Sequence, residues 1–309
     1  MGMDTRDKVT VVVPTRNRGD SVVRTIRTIL FNRYSALELI VVDQSDDNRT
    51  EISFQPLLSD RRISCIRTTT RGLAAALNVG IAIAQTEIIA ITGDDCEVDK
   101  NWLKELVAAF ATDPRIGIVF GNVLPGPHDR RLGFVPAYVR DTEFLARNVS
   151  EKHNVAGTTA CMGLRRSVWK ALGGFDQMFG IGASLHSAED LDLTLRALLK
   201  GHAVYETPRV SVVHHGFYRQ EECAFIVYRY WYGTGAAFSK QFKCGRWSIV
   251  MVLLRLMRGW IFRQSRIADS LGRPPRRRQF EAFLRGFIVG AGISVDRQSG
   301  HYLMPRSDS

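Results

Sequence analysis

The chain has 309 residues, roughly two domains' worth, and its 45% hydrophobic and 24% charged residues are ordinary globular values that exclude collagen-like and wholly disordered proteins. Five widely spaced cysteines with no C-x-x-C pair exclude a disulfide framework and a zinc cluster. The charged N-terminal residues contain no apolar stretch, so we predict no secretory signal and a cytoplasmic protein.

The positive charge is concentrated towards the C-terminus. The whole chain has a net charge of +11, and residues 240–285 hold twelve basic and two acidic residues, a net charge of +10. The rest of the chain is therefore close to neutral, which argues against a general nucleic-acid surface. We expect no nucleic-acid partner, and any anionic partner should contact residues 240–285.

The first part of the chain alternates short β-branched apolar runs with amphipathic helices. The predicted strands are 9–13, 38–42, 63–67, 87–92 and 116–120, and the predicted helices are 20–30, 72–84 and 99–111. Such alternation predicts right-handed crossovers and an open, mostly parallel sheet. Ligands should then gather at the carboxyl ends of the strands.

Beyond Gly121 this rhythm is lost, and three prolines between 125 and 136 predict a loop with short helices, inserted over a site. A strand at 158–164, a short helix at 167–172 capped by Ser167, a helix at 188–200 and a strand at 210–213 follow. After residue 215 the pattern is helical, aromatic and basic to the end. We therefore expect an α/β domain over residues 1–220 and a helical, basic C-terminal region over 221–309.

Carboxylates follow two of the predicted strands. Asp43 ends one strand, and Asp94 and Asp95 follow another, so that all three should lie at one edge of a parallel sheet. An acidic pair at such an edge suits Mg²⁺ or Mn²⁺ bound to a substrate diphosphate. The alternative is that these aspartates only cap turns and helices. Neither a P-loop nor a dinucleotide fingerprint follows the first strand.

Four segments in order resemble the family-2 glycosyltransferases of the GT-A fold. They are VTVVVPTRNR at 9–18, IVVD at 40–43, TGDDC at 92–96 and EDLDL at 189–193, with GGFD at 173–176 before the last. The resemblance covers roughly residues 9–215. It implies a GT-A type, Rossmann-like mixed sheet, mostly parallel, with helices on both faces, to which the helical basic C-terminal region is added.

The same resemblance implies a donor site for a nucleotide-diphospho-sugar of the UDP or dTDP type. Pro14, Thr15 and Arg18 would line the nucleotide pocket. Asp43 would accept a hydrogen bond from the ring N–H of a uracil-type base, and Asp94 would contact the ribose.

It also implies a metal site and a catalytic base. Asp95 would bind Mn²⁺ or Mg²⁺, and His214 would help to hold the metal or the diphosphate, the alternative being a surface or core histidine. Asp190 would be the base, although helix capping is the simpler role for an acid at a helix N-terminus. The chain departs from the family at Gly93, where many members have the first Asp of D-x-D, and at Gln44, where a second Asp is common.

The C-terminal region offers a candidate membrane contact. The apolar run within residues 247–262 is interrupted by Arg255 and Arg258, so it is too short and too charged to span a bilayer. These arginines and Arg266 fall near one side of a helical wheel, which favours a helix lying in the membrane interface. A helix that packs its apolar face on the catalytic domain and, as a third option, a nucleic-acid arm are the alternatives.

These expectations combine into one function. The chain is predicted to be an inverting, metal-dependent glycosyltransferase, cytoplasmic and peripheral on the inner face of the cell membrane. Its acceptor would be the hydroxyl of a cell-surface glycan or a lipid-linked precursor. The alternatives are a catalytically degenerate nucleotide- or glycan-binding protein and a sugar nucleotidyltransferase, which normally has a Gly-rich basic loop after the first strand.

Overall fold

The computed structural model describes residues 8–262 and 275–303. The strands of this part of the chain are β1 (Val9–Thr15), β2 (Leu37–Asp43), β3 (Ile63–Arg67), β4 (Ile88–Thr92), β5 (Cys96–Val98), β6 (Ile116–Pro125), β7 (Gly133–Phe134), β8 (Phe144–Ala146), β9 (Cys161–Arg165), β10 (Ala203–His214), β11 (Tyr218–Arg219), β12 (Val295–Asp296) and β13 (His301–Tyr302). The helices are α1 (Ser21–Leu30), α2 (Arg49–Phe54), α3 (Leu73–Ile83), α4 (Trp102–Ala111), α5 (Arg166–Leu172), α6 (Glu189–Leu199), α7 (Cys223–Lys243), α8 (Val250–Phe262) and α9 (Arg276–Gly292).

The central sheet is mixed and mostly parallel, as predicted. Its strands follow the order β3–β2–β1–β4–β9–β6–β10–β5, and β8 pairs with β10. Strands β1 to β4, β6 and β10 run in one direction, whereas β9 lies antiparallel between β4 and β6, and β5 and β8 are antiparallel to β10. Strand β10 begins well before the predicted residue 210. The prediction missed its first part because an irregularity between Glu206 and Ser211 interrupts the alternating pattern of the strand.

Helices cover both faces of the sheet, and the alternating side chains of β1 show why. Val11 and Val13 pack into the apolar layer beneath α1 and α4, whereas Val12 packs into the layer beneath α3, α5 and α6. Because both faces are buried, β1 is a continuous apolar run, as is typical of strands in α/β proteins. This arrangement leaves the carboxyl ends of the parallel strands as the open edge.

Two local predictions are corrected. Ser167 does not cap α5, which begins at Arg166, since the Ser167 hydroxyl instead donates to the carboxylate of Glu87. The segment from 125 to 154 contains strands β7 and β8 and a 3₁₀ turn over Val149–Asn154 rather than helices and loop alone.

The C-terminal region packs on the sheet domain. Helix α7 lies against α6 and α9, and α8 lies against the turn Val149–Asn154. Helices α7 and α9 approach each other at glycines, since a Cβ at Gly235 would lie 2.0 Å from the carbonyl oxygen of Phe283. The described part of the region ends in the hairpin β12–β13, not in a helix.

The basic residues between 240 and 285, predicted to contact an anionic partner, do not all lie on the surface. Lys240 is fully buried, so it is not available to an external partner. Arg263, Arg266 and Arg273 lie outside the described residues. None of the described helices is long and apolar enough to cross a membrane.

Candidate functional site

The predicted acidic residues lie at one edge of the sheet because they follow neighbouring parallel strands. Thr15 and Asp43 are partners at the ends of β1 and β2. Strand β4 lies on the other side of β1 and ends at Thr92, directly before Gly93, Asp94 and Asp95. The sheet therefore brings the predicted base-binding, ribose-binding and metal-binding carboxylates to the same edge.

Asp43 is fully buried, and Ser45, two residues later, lines a cavity of about 330 Å³. Its Oδ1 atom accepts a hydrogen bond of 2.8 Å from the backbone N–H of Ser45, and its Oδ2 atom has no partner among the described residues. A buried carboxylate oxygen without a donor is costly unless a ligand supplies one. The cavity is lined by Ser45, Asp46, Arg67, Thr68, Thr69 and Arg71.

Gln44, which stands where many family members have a second aspartate, has a structural role in this chain. Its side-chain Nε2 donates to the hydroxyl of Thr70 at 3.0 Å and to the carbonyl oxygen of Gly72 at 3.1 Å. It therefore holds the segment that leads into α3.

Arg18 lies across the acidic pair after β4. Its Nε is 3.3 Å from Oδ1 of Asp94 and its Nη2 is 3.4 Å from Oδ2 of Asp95. Burial raises the pKa of Asp94 to about 6, although the charge of Arg18 opposes this shift. Pro14 is half-buried one residue before the end of β1.

His214 meets Asp95 because β10 and β5 pair antiparallel, with His214 directly opposite Cys96. His214 Nε2 lies 3.5 Å from Oδ1 of Asp95, and Nδ1 is 2.9 Å from the carbonyl oxygen of Pro136. Since that carbonyl can only accept, Nδ1 carries a proton. In the neutral ring Nε2 then has a lone pair that can bind a metal, whereas in the protonated ring Nε2 donates to Asp95. Burial alone would lower the pKa of His214, but the hydrogen bond and charge of Asp95 raise it.

The residues at this position fit a divalent cation. Asp95, Cys96 and His214 each offer an atom within 4.8 Å of the other two. Burial raises the pKa of the Cys96 thiol far above its ordinary value, so the thiolate form that binds metals is disfavoured and Asp95 and His214 remain the better ligands.

Two glycines leave the space around these ligands open. A Cβ at Gly216 would lie 2.6 Å from Nε2 of His214 and 2.9 Å from Oδ2 of Asp95. A Cβ at Gly93 would lie 3.0 Å from Oδ1 of Asp95. A side chain at the first D-x-D position would therefore crowd Asp95 in this chain.

The acid pair at the start of α6 reaches the same edge through β9. The Thr92 hydroxyl at the end of β4 donates to the carbonyl oxygen of Ala160 at 2.8 Å, and the neighbouring Thr159 hydroxyl donates to Oε1 of Glu189 at 3.1 Å. Glu189 is buried, whereas Asp190 is half-buried and accepts a 2.6 Å hydrogen bond from the backbone N–H of Leu191 through Oδ1.

The turn before this pair is strained. His186 and Ala188 have φ values of 64° and 74°, a region that L residues other than Asn, Asp and His seldom adopt, so Ala188 is the more unusual of the two. Each such residue costs about 1–3 kcal/mol and persists only where its surroundings hold it, often at a functional site.

The surroundings of the pair perturb its acidity. Burial and the charge of Asp190 raise the pKa of Glu189 to about 8. Burial also raises the pKa of Asp190, against the hydrogen bond from Leu191 and the charge of Lys152. Carboxyl groups whose pKa values are strongly shifted are typical of catalytic sites.

Several residues near the site were not predicted from sequence. Lys152 is buried and donates to the carbonyl oxygen of Val155 at 2.7 Å, with its charge acting on Asp190. Burial and the charge of Asp95 raise the pKa of Tyr218. Gly216 could have been found from sequence, because it directly follows the His214–His215 pair. Lys152 and Tyr218 could not, because only the tertiary structure defines where their segments lie.

Comparison with known proteins agrees with this geometry. The sequence profile of the family named Glycosyl transferase family 2 matches residues 10–173, more than half of the chain. The chain is 29% identical over 227 residues to the protein y4gI of Sinorhizobium fredii, covering 67% of this chain and 24% of that protein. It is 25% identical over 239 residues to the glucosyl-dolichyl phosphate glucuronosyltransferase of Haloferax volcanii, covering 73% and 75% of the two chains.

A third relative matches a shorter segment. The glycosyltransferase GlyG of Streptococcus pneumoniae is 36% identical over 144 residues, covering 46% of this chain and 47% of GlyG. The chain thus spans less than half the length of y4gI and of GlyG.

The fold has solved counterparts. The structure of the mannosyltransferase PcManGT from Pyrobaculum calidifontis in complex with GDP-Man and Mn²⁺ superimposes with a TM-score of 0.57 at 18% identity, covering 92% of this chain and 86% of that one. TarS residues 1–349 from S. aureus superimpose with a TM-score of 0.55 at 15% identity, covering 92% and 81%. At these identities the similarity establishes the shared fold.

Proposed function

Because the chain belongs to glycosyl transferase family 2, we propose that it transfers a sugar from a UDP- or dTDP-linked donor to an acceptor hydroxyl, with inversion at the anomeric carbon. The observation that carries the proposal is the meeting of Asp43, the pair Asp94–Asp95 and the pair Glu189–Asp190 at one edge of the sheet. A nucleoside diphosphate and a proton-accepting carboxylate need this proximity, since the sugar to be transferred must lie between them.

In this proposal Asp190 is the catalytic base. The acceptor hydroxyl must lose its proton as its oxygen attacks the anomeric carbon, and the raised pKa that burial gives the Asp190 carboxyl makes its carboxylate a stronger base for this task. The Leu191 N–H fixes Oδ1, which leaves Oδ2 to take the proton. Direct attack opposite the leaving group inverts the anomeric centre.

Asp95 and His214 would hold Mn²⁺ or Mg²⁺, with diphosphate oxygens and water completing the coordination. When bound, such a cation stabilises the negative charge that develops on the departing diphosphate. The structural counterpart PcManGT is in complex with Mn²⁺, which supports a divalent metal as the cofactor. Arg18, within 3.4 Å of Asp95, would add positive charge beside a bound diphosphate.

The nucleotide would bind across β1 and β2. Asp43 Oδ2, which has no partner among the described residues, would accept the ring N–H of a uracil-type base. Thr15 and Pro14 would line the pocket, and Asp94 would contact the ribose.

The acceptor would be a cell-surface glycan or a lipid-linked precursor, reached from an anionic membrane. Phe280, Leu284 and Ile288 recur at four-residue spacing on α9 and are 44%, 46% and 61% exposed. This spacing places them on one face of the helix. Residues 276–278, all exposed arginines, stand at the start of α9 and would contact lipid phosphates.

The function is tested by nucleotide binding and then by turnover. UDP and dTDP are titrated with and without Mn²⁺, and nucleotide sugars are screened by thermal shift, because a cognate donor stabilises the folded chain by mass action. Release of UDP in the presence of an acceptor panel is then measured for Asp190→Asn. Asp113→Asn is the matched control, since Asp113 lies before β6 at the opposite edge of the sheet.

Each alternative has its own outcome. Turnover that is unchanged in Asp190→Asn removes the proposed base. Metal-dependent binding without turnover on any acceptor favours a degenerate binding protein, and pyrophosphate release from UTP with a sugar phosphate favours a nucleotidyltransferase.

A further inference from the structure

A buried cluster of charges joins the catalytic helix α6 to α7 of the C-terminal region. Lys240 is fully buried, and its Nζ lies 2.6 Å from Oδ2 of Asp176 and 2.7 Å from Oδ1 of Asp192. Asp192 is also paired with Arg196 at 2.9 Å, so that two carboxylates meet two cations away from solvent. Asp192 lies in the first turn of α6, two residues after Asp190.

The same lysine also connects the last hairpin. The backbone N–H of Tyr302 donates to Oδ2 of Asp176 at 2.8 Å, and Oδ1 of that aspartate accepts from the backbone N–H of Met178 at 3.0 Å. The Lys240 ammonium lies 4.8 Å from the centre of the Phe179 ring, within cation–π range. Lys240 is therefore the point at which α6, α7, the segment after the GGFD motif and β13 meet.

Helix α7 also contacts the turn that precedes α6. Gly233 precedes Lys240 by seven residues, about two helical turns, and a Cβ there would lie 2.7 Å from the carbonyl oxygen of Ser187. Ser187 stands between the two positive-φ residues His186 and Ala188. Helix α7 thus lies directly against the strained turn that presents Glu189 and Asp190.

We propose that Lys240 is a positioning residue for catalysis, which braces the strained turn and thereby holds the Asp190 carboxylate in place. Loss of Lys240 removes the ion pair between α7 and the first turn of α6 and leaves the longer hydrogen bond of 3.3 Å from Nε2 of Gln241 to Oδ1 of Asp192. With this weaker connection the turn can relax towards ordinary backbone angles. A displacement of about 1 Å at a catalytic group can cost about a hundredfold in rate. The proposal rests on the proposed function in one respect, the role of Asp190 as base.

The experiment separates positioning from stability with three variants. Lys240→Met removes the cation and leaves a surplus buried carboxylate. Lys240→Met combined with Asp176→Asn restores neutrality while keeping the Asp192–Arg196 pair. Lys243→Met is the control, because Lys243 lies on the same helix but donates instead to the carbonyl oxygens of Ala291, at 2.6 Å, and Ile293, away from α6.

The measurements are the thermal midpoint, hydrogen exchange of residues 185–193, Mn²⁺-dependent UDP binding and turnover with a nucleotide sugar. We expect the neutral double variant to recover most of the thermal midpoint that Lys240→Met loses. It should still exchange hydrogens at 185–193 at least about tenfold faster than wild type and lose at least about tenfold in kcat. UDP affinity should stay within about twofold, because the cluster does not touch the nucleotide edge. Lys243→Met should leave hydrogen exchange at 185–193, UDP affinity and kcat unchanged.

Return of both exchange and kcat to wild-type values in the double variant would overturn the proposal and leave Lys240 a role in stability alone. If wild type shows no turnover with any donor, the proposed function has failed, but hydrogen exchange still decides this inference. Unchanged hydrogen exchange at 185–193 in the double variant would then contradict the proposal that Lys240 holds this turn in place.

Discussion

Nε2 of His214 lies 3.5 Å from Oδ1 of Asp95 although the two residues are far apart in the chain. The contact follows from the register of β5 and β10, which places His214 opposite Cys96. Because the side-chain period of a strand is two residues, a slip of one residue would turn His214 to the other face of the sheet. The candidate metal site therefore depends on this strand pairing.

Gly216→Ala should weaken Mn²⁺ binding at least about tenfold while leaving the fold intact, because the new methyl group would lie 2.6 Å from Nε2 of His214. Binding is measured by calorimetry with MnCl₂ in the presence of UDP. Gly292→Ala is the control, since a Cβ there meets nothing within 4 Å. Equal Mn²⁺ affinity in the two variants would contradict the assignment of Asp95 and His214 as ligands.

The edge of the sheet that carries the acidic residues was predictable from sequence because the strands are apolar on both faces. Their β-branched runs end abruptly at polar residues, so Asp43 and the pair Asp94–Asp95 could be placed by the parallel topology alone. Agreement between this topology and the structure confirms the GT-A fold.

The C-terminal packing could not be predicted in the same way. Lys240 belongs to a stretch rich in basic residues, and a lysine on a helix usually faces solvent. Only the tertiary structure supplies Asp176 and Asp192 as its buried partners. Likewise Gly235 looks like a weak point in a helix, yet it is where the backbone of α9 approaches α7.

Glu189→Gln should stabilise the protein at alkaline pH. The pKa of Glu189 is raised to about 8 from an ordinary 4.5, so the folded state holds a proton that the unfolded state releases at lower pH. Wild type should therefore lose stability as the pH rises through this interval, whereas glutamine keeps the hydrogen bond from Thr159 without a charge.

Thermal midpoints of both proteins from pH 5 to pH 9 check this expectation. The difference, variant minus wild type, should grow with pH, and Glu105→Gln on the opposite side of the sheet from α6 should show no such trend. A difference that is constant or shrinks with pH would mean that Glu189 ionises readily in the folded protein.

Leu284→Ser combined with Ile288→Ser should reduce sedimentation with anionic phosphatidylglycerol vesicles by about tenfold to a hundredfold. Leu284 and Ile288 are 46% and 61% exposed, so each can bury about half of its surface in the membrane and contribute about half of the 1.5–3 kcal/mol of a fully buried apolar side chain. Binding of wild type should also fall in 0.5 M salt, which screens the arginines at 276–278. Phe31→Ser is the matched control, since Phe31 is 82% exposed at the end of α1. If wild type and the double variant sediment alike, α9 does not contact the membrane.

Asp43→Asn should change which nucleotide base the protein prefers. The carboxylate accepts the Ser45 N–H through Oδ1, and asparagine can keep that bond with its carbonyl oxygen. Its amide group then presents a donor where Oδ2 presented an acceptor, so it opposes the ring N–H of uracil but matches the ring nitrogen acceptor of cytosine. We expect UDP affinity to fall by about tenfold or more and CDP affinity to rise relative to UDP, measured by competitive titration with Mn²⁺ present. Asp46→Asn removes an exposed carboxylate that lines the cavity next to Ser45, and it should change the affinities for UDP and CDP by the same factor. The same equal response in Asp43→Asn would leave Asp43 with a structural role only.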